Sequence, residues 1–293
     1  MDAETRDLTA GSVLANSTLA IVGAGVMAES IVAGLLAKQM IPPAQIVASH
    51  PRADRRAKLE AQYGIRTSEH NADAIQGADL VMITVKPQVV ASVMRQLRDV
   101  LAPEQVVISI LAGANVETLQ RGLDHESIVR VMPNTPAQIG EGMSVWCATP
   151  SVTETQQEKV RAALGALGEE LQVETEKYVD MATALSGTGP TYVFLMMEAL
   201  VDAGVHMGFP RRIAEQIVLQ TVGGSVSFAR SSGKHLAELR NMVTSPGGTS
   251  AEAIYQMEKG GLRTVLSKSV YAAYQRTQTL AAEQEKTLSG DSH

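Results

Sequence analysis

The chain has 293 residues, 45% hydrophobic and 19% charged, enough for two domains with cores of their own. A net charge of −6 gives no general attraction for nucleic acid or an anionic membrane. One cysteine, Cys147, excludes an intrachain disulfide and a cysteine-rich metal site; it reads as a buried small apolar residue in a reducing compartment.

The histidines at 50, 70, 125, 206, 235 and 293 include no i, i+4 pair with a carboxylate, so no metal is expected. Residues 1–17 carry Asp2, Glu4 and Asp7 and lack a basic start and an apolar centre. They read as a flexible tail rather than a signal peptide. No uncharged apolar run approaches the roughly 18 residues of a membrane span, and a cytoplasmic protein is expected.

From residue 18 apolar, β-branched runs recur at Thr18–Val22, Gln45–Ala48, Asp79–Val85, Gln105–Leu111 and Ser127–Val131. Helical patterns lie between several of them, at Ala28–Lys38, Arg52–Gln62 and Val89–Val100. This rhythm predicts an α/β half with a doubly wound parallel sheet. Beyond Asp180 the pattern is helical only, at Thr191–Met207, Arg211–Arg230, Leu236–Val243 and from Gly261 to about Glu283. A flexible tail 1–17, a nucleotide-binding domain 18–176 and an all-helical domain 177–293 are therefore expected.

The first motif is LAIVGAGVMAES. Gly23, Gly25 and Ala28 match G-x-G-x-x-G/A directly after a strand and at a helix start. Glycines there let the backbone approach a pyrophosphate, and the helix N-terminus, at Val26 and Met27, offers amides and a positive dipole. The pattern predicts a Rossmann-type dinucleotide site. At the end of the second strand an NAD site usually places a carboxylate for the ribose. Here IVASHPRADRR offers Ser49, His50, Arg52, Arg55 and Arg56, with no carboxylate before Asp54. NADPH is therefore favoured over NADH, with Ser49 and Arg52 toward the 2′-phosphate and at least one of Arg55 and Arg56 merely solvating a helix face. Thr84, Val85, Lys86 and Pro87 follow a buried strand, where proline would halt the sheet beside the cofactor crevice.

A second motif interrupts the helical half: NMVTSPGGTSAEAI, residues 241–254. Its proline and glycines break helices, which predicts a tight loop. Thr249 followed by Glu252 fits a capping box, leaving amides unpaired at Ser250 and Ala251. With the hydroxyls of Thr244, Ser245 and Thr249 these form a site suited to a carboxylate.

GAGVMAES, TVKP, RVMPNTPAQIGEG, ALSGTGPTYVFLMMEALVDAGVHMG and MVTSPGGTSAEAI, in this order, make the sequence resemble the pyrroline-5-carboxylate reductases over almost the whole chain from residue 18. The family usually has threonine where Ser250 stands and an acidic residue where Asn241 stands. The resemblance implies hydride transfer from NAD(P)H to the imine carbon of 1-pyrroline-5-carboxylate, giving L-proline in the last step of proline biosynthesis. It places Ser49, Asn71, Thr84 to Pro87, Ile110, Leu111, Ala112 and Met242 along the cofactor. It gives Thr244, Ser245, Gly247, Gly248, Thr249 and Ser250 to the substrate, with Ser250 and Thr249 catalytic and Glu176 near the ring nitrogen. It further implies a homodimer of interlocked helical domains, often in larger rings of dimers. A β-hydroxyacid dehydrogenase or related imine reductase would share the fold, and an NADP-sensing protein would keep the glycine motif without the loop.

Overall fold

The computed structural model describes residues 13–289, and the chain divides into two compact units. One holds the residues through Thr188 together with those from Ala273 on; the other is Gly189–Ala272.

The first unit is built on one eight-stranded sheet. Its strands are β1 (Leu19–Val22), β2 (Ile46–Ser49), β3 (Arg66–Ser68), β4 (Leu80–Ile83), β5 (Val106–Ser109), β6 (Ile128–Met132), β7 (Gly142–Ala148) and β8 (Gly168–Gln172). They lie in the order β3-β2-β1-β4-β5-β6-β7-β8. Every neighbouring pair is parallel except β6 with β7. The helices of this unit are α1 (Val26–Ala37), α2 (Ala53–Tyr63), α3 (Asn71–Ala74), α4 (Val90–Leu97), α5 (Val116–Leu123), α6 (Glu154–Gly165) and α7 (Glu176–Ala182).

Strand β1 shows why such strands are apolar throughout. Leu19 and Ile21 enter one hydrophobic cluster and Ala20 and Val22 another, so both faces of the sheet are covered. The expected parallel, doubly wound architecture is the one found, and the strand order reverses between β1 and β4, where such folds bind ligands.

Three strands were not among the expected ones. The short β3 and the largely exposed GEELQ of β8 are edge strands, whose polar side chains carry little apolar signal. Strand β7 follows a stretch rich in proline and glycine, which hides its run of buried residues. Residues 1–12 of the expected tail lie outside the described residues. Residues 13–17 pack onto the fold: Leu14 belongs to the core, and the Ser17 amide donates to Leu14 O at 2.9 Å.

Burial pushes the Asp79 carboxyl up, but bonds from the Thr18 amide (2.8 Å) and Lys159 Nζ (2.9 Å) outweigh it and hold the group below the usual carboxylate range. The stability this adds is present above the unfolded-state pKa and is lost as pH falls through the lower folded-state value.

The second unit comprises α8 (Gly189–His206), α9 (Arg211–Ser232), α10 (Leu236–Met242), α11 (Thr249–Lys259) and the start of α12 (Leu262–Ser289), whose residues from Ala273 belong to the first unit. Helices α8 and α9 touch at Gly204, where an added Cβ would stand 3.0 Å from Ala214 Cβ. Few of their side chains are buried within the chain: Val201 and Ala214 are, while Phe194, Leu195, Met196, Leu200, Leu219, Val226 and Phe228 are exposed. Among the described residues no helix is long and apolar enough to cross a membrane.

Candidate functional site

The glycine-rich turn between β1 and α1 sits where the strand order reverses. Gly23 has φ +97°, and a Cβ there would stand 2.5 Å from Val85 Cγ1, so only glycine fits. Val85 belongs to the TVKP segment, and Thr84 joins the same contact by donating its hydroxyl to Gly23 O at 2.6 Å. Gly25 differs: a Cβ there would enter open space, the nearest neighbour being Gly23 O at 4.0 Å. Gly25 is also the N-cap of α1 and offers no side-chain cap. The first backbone bond of the helix runs from the Glu29 amide to Gly25 O, so the amides of Val26, Met27 and Ala28 have no partner among the described residues. An open cradle lined by unpaired amides fits the pyrophosphate of a dinucleotide.

Along the neighbouring strand end, Ser49 is fully buried and its hydroxyl donates to Asn71 Oδ1 at 2.7 Å. The structure thus joins two expected cofactor residues in one bond, continued from Asn71 Nδ2 to Gln96 Oε1 at 2.9 Å. Of the three arginines that follow, only Arg52 faces outward; its guanidinium pairs with Asp54 at 2.5 Å. The solvated reading of Arg55 or Arg56 is corrected. Arg56 donates to His50 O, Pro51 O and Glu69, holding the loop after β2, and Arg55 reaches into the glycine turn. Burial lowers the pKa of His50, and the charges of Arg52 and Arg55 lower it further, so it stays neutral at neutral pH while its Nδ1 accepts from the Arg52 amide.

On the other side of β4, Lys86 and Pro87 are exposed and open a short 3-10 turn, Pro87–Val89. The Ile110 amide donates to Ile83 O, and Leu111 is buried. Ala112 O accepts from Gln284 Nε2 of α12 at 3.1 Å. Gln284 and Gln96 carry no motif, and nothing in their local sequence signals these contacts.

Arg130, at the start of the RVMPNTP stretch, is 1% exposed and pairs at 2.6 Å with both Glu176 Oε1 and Asp180 Oδ1 of α7. Glu176 Oε1 also accepts from the Val116 amide at 2.7 Å, which caps α5. Glu176, expected near a ring nitrogen, thus has one carboxylate oxygen engaged in the fold. Opposite Arg130 in the β6–β7 register lies Cys147, whose thiol is pushed up to about 11, first by burial and then by the charge of Glu176. It is buried, as its small apolar reading requires, and the raised pKa keeps it a thiol rather than a thiolate at neutral pH. Beyond α7, Thr183–Gly187 form a π-helical turn, and Ser186 Oγ there accepts from Asn134 Nδ2 at 3.2 Å. Asn134 Oδ1 in turn accepts from the Met143 amide, so MPNTP and ALSGTGP meet through one asparagine.

In the helical unit, Ser245 to Gly248 form a turn closed by the Gly248 amide on Ser245 O at 3.0 Å, with Gly247 at φ +70°. The expected capping box is corrected. Gly248 takes the N-cap of α11 without a side-chain bond, because the turn delivers Gly248 O to the amides of Ala251 and Glu252. Glu252 Oε1 accepts from Gln256 instead. The unpaired amides are therefore those of Thr249 and Ser250, and Ala251 is engaged. The hydroxyls of Ser245, Thr249 and Ser250 have no partner among the described residues, while Thr244 Oγ1 donates to Arg240 O at 2.6 Å. Two amides at a helix N-terminus beside three available hydroxyls suit a small carboxylate bearing one further polar atom. Met242 is exposed at the end of α10, with Lys234 Nζ at 3.6 Å from its sulfur.

Residues 176–280 match the family model described as pyrroline-5-carboxylate reductase dimerisation, and residues 18–113 match that described as NADP oxidoreductase, coenzyme F420-dependent. A pyrroline-5-carboxylate reductase of Synechocystis is 40% identical over 89% of this chain and 97% of its own. One of Pseudomonas aeruginosa is 41% identical over 90% and 97%. The solved Coxiella burnetii pyrroline-5-carboxylate reductase superposes with a TM-score of 0.86 at 33% identity, covering 90% of this chain and 98% of that one. A Plasmodium falciparum pyrroline carboxylate reductase, solved with NADP bound, gives 0.83 at 29% identity over 92% and 99%.

Proposed function

The chain belongs to the pyrroline-5-carboxylate reductase family of NAD(P)-dependent oxidoreductases, and from that premise we propose how its residues divide the work. Residues 18–176 bind NADP and 177–293 bind the substrate and the second subunit. The protein works in the cytoplasm as at least a homodimer, with larger rings of dimers as a further level. Gly23, Gly25, Val26, Met27 and Ala28 receive the pyrophosphate. Ser49, Arg52 and Asn71 meet the adenosine ribose, and Thr84 to Pro87, Ile110 to Ala112 and Met242 line the rest of the dinucleotide.

The observation that carries the substrate reading is the turn opening α11. There the Thr249 and Ser250 amides and the hydroxyls of Ser245 and Thr249 have no partner among the described residues, at a helix start fit for the carboxylate of 1-pyrroline-5-carboxylate. Thr244, Gly247 and Gly248 shape that cradle. When bound, NADPH supplies a hydride to the imine carbon. The residues between Asn241 and Ile254 include no lysine or histidine that could protonate an alkoxide. A cyclic imine, more basic than a carbonyl, can arrive already protonated, so orientation and one hydrogen bond suffice. Ser250 Oγ provides that bond to the ring nitrogen, and Glu176 adds negative charge through the carboxylate oxygen that Arg130 does not hold.

Ser250→Ala should lower kcat/KM for 1-pyrroline-5-carboxylate about tenfold or more, the loss expected for one hydrogen bond to a charged group, with NADPH affinity unchanged. Loss of NADPH binding with turnover intact would assign the loop to the wrong ligand. The same assay against the six-membered analogue separates this reading from a broader imine reductase. For the cofactor, Arg52→Ala should raise KM for NADPH and spare NADH, since it removes the exposed guanidinium assigned to the 2′-phosphate and leaves its partner Asp54 uncompensated. Equal losses for both cofactors would refute the role given to Arg52.

A further inference from the structure

Arg55 lies in the first turn of α2 and points away from solvent, its side chain 16% exposed. Its Nε donates to Ala24 O at 2.9 Å, and its Nη2 donates to Gly25 O at 3.2 Å and to Glu29 Oε2 at 2.6 Å. One planar fork therefore grips two successive carbonyls of the glycine-rich turn and the carboxylate of the helix turn that follows. In a trans peptide the carbonyl and the amide point in opposite directions. Drawing the Ala24 and Gly25 carbonyls toward Arg55 turns the following amides the other way: that of Gly25 donates to Gly23 O at 2.7 Å, closing the turn, and that of Val26 has no partner among the described residues. The second consequence is electrostatic. Glu29 stands in the first turn of α1, where a carboxylate opposes any bound phosphate. Burial raises its pKa, but the bond and charge of Arg55, with Lys58 and Tyr63, outweigh burial and keep it ionised. That negative charge is neutralised on the spot by the guanidinium, with Lys58 Nζ at 3.7 Å from the other oxygen.

We propose that Arg55 is the positioning residue of the cofactor turn: it fixes the two peptides flanking Gly25 and cancels the charge of Glu29, so that the turn takes the pyrophosphate of NADPH and NADH alike. This rests on the reading of the turn as the dinucleotide site. It departs from a role for Arg55 at the 2′-phosphate, because all of its bonds run to the turn and none leaves it facing the ribose end.

The test compares wild type with Arg55→Met and Arg55→Lys, reading the dissociation constants of NADPH, NADH and reduced nicotinamide mononucleotide by nicotinamide fluorescence, and kcat at saturating cofactor. Arg55→Met should weaken both dinucleotides by a common factor of about ten or more. It should leave their ratio, kcat and the binding of the mononucleotide, which has no pyrophosphate bridge, unchanged. Arg55→Lys keeps the charge but has no fork, so it should show a smaller common loss; it carries the test if the methionine variant does not fold. A loss confined to NADPH, an equal loss of the mononucleotide, or no loss at all would overturn the proposal. Gly25→Val serves as the site control, since its side chain enters open space at an ordinary φ of −82° and should fold while filling the cradle. If Gly25→Val binds both dinucleotides normally, the turn is not the cofactor site and the underlying reading fails. If it abolishes binding while Arg55→Met changes nothing, only the inference about Arg55 fails.

Discussion

Leu200→Asp should convert the protein into an inactive species that is monomeric or unfolded, with the dimer dissociation constant raised on the order of a hundredfold or more. Leu200 lies on α8 and is 41% exposed in the single chain, among Phe194, Leu195, Met196 and Val205, which are exposed as well. Helices of a soluble protein show one apolar stripe to their own core; here most of the apolar surface of α8 and α9 finds no cover within the chain. The matched family model is named for dimerisation over 176–280, the stretch containing these helices. An interface that buries them should exceed roughly 2,000 Å² and be largely hydrophobic. In a two-fold dimer the substitution occurs twice, and each new carboxylate would be desolvated without a partner. Sedimentation at assay concentration checks this: a well-folded, fully active monomer, wild type or variant, would refute it.

Arg130→Met should cost about 3–5 kcal/mol of stability, read as a lower denaturation midpoint at unchanged slope. The guanidinium is 1% exposed and is the shared partner of Glu176 and Asp180, which sit one helical turn apart on α7. Without it two like charges stand one turn apart on α7 with no counter-charge between them. Domains are stable by about 5–15 kcal/mol, so this loss would consume a large part of the total. Adding Glu176→Gln and Asp180→Asn should restore part of it, because the uncompensated charge is removed and the glutamine oxygen can still accept from the Val116 amide. A loss under about 1 kcal/mol, or no recovery in the triple variant, would show that the cluster does not secure α7.

These two predictions mark what the sequence makes visible and what it hides. Period-two and period-3.6 patterns are local, so β1, β2 and the long helices were legible to within a few residues. Edge strands β3 and β8 were not, because an edge strand need not be apolar. The glycine turn was legible because Gly23 and Gly25 are themselves the signal. Arg55 was not, since its partners are backbone carbonyls that any residue would supply, and an arginine on an amphipathic helix looks solvated until its reach is known. Arg130 meets Glu176 and Asp180 across 46 and 50 residues, a separation at which no spacing rule operates. The loop at 244–250 was legible in composition, yet the box pattern at Thr249 and Glu252 mistook the cap, because a glycine turn can start a helix one residue earlier.

The last helix has a bearing on how the protein is made. The α/β unit is discontinuous: it is completed by residues from Ala273 on, and Gln284 closes the turn at Ala112 across 172 residues of chain. Around Gly113 the fit is close, since a Cβ there would lie 3.3 Å from the backbone of Leu280. During synthesis from the N-terminus the sheet can collapse as its strands emerge, but the loop after β5 has to wait until α12 has left the ribosome. A nascent chain stalled before residue 273 therefore holds an α/β unit with that turn uncovered, and the emergence of α12, rather than strand pairing, sets when it can be finished.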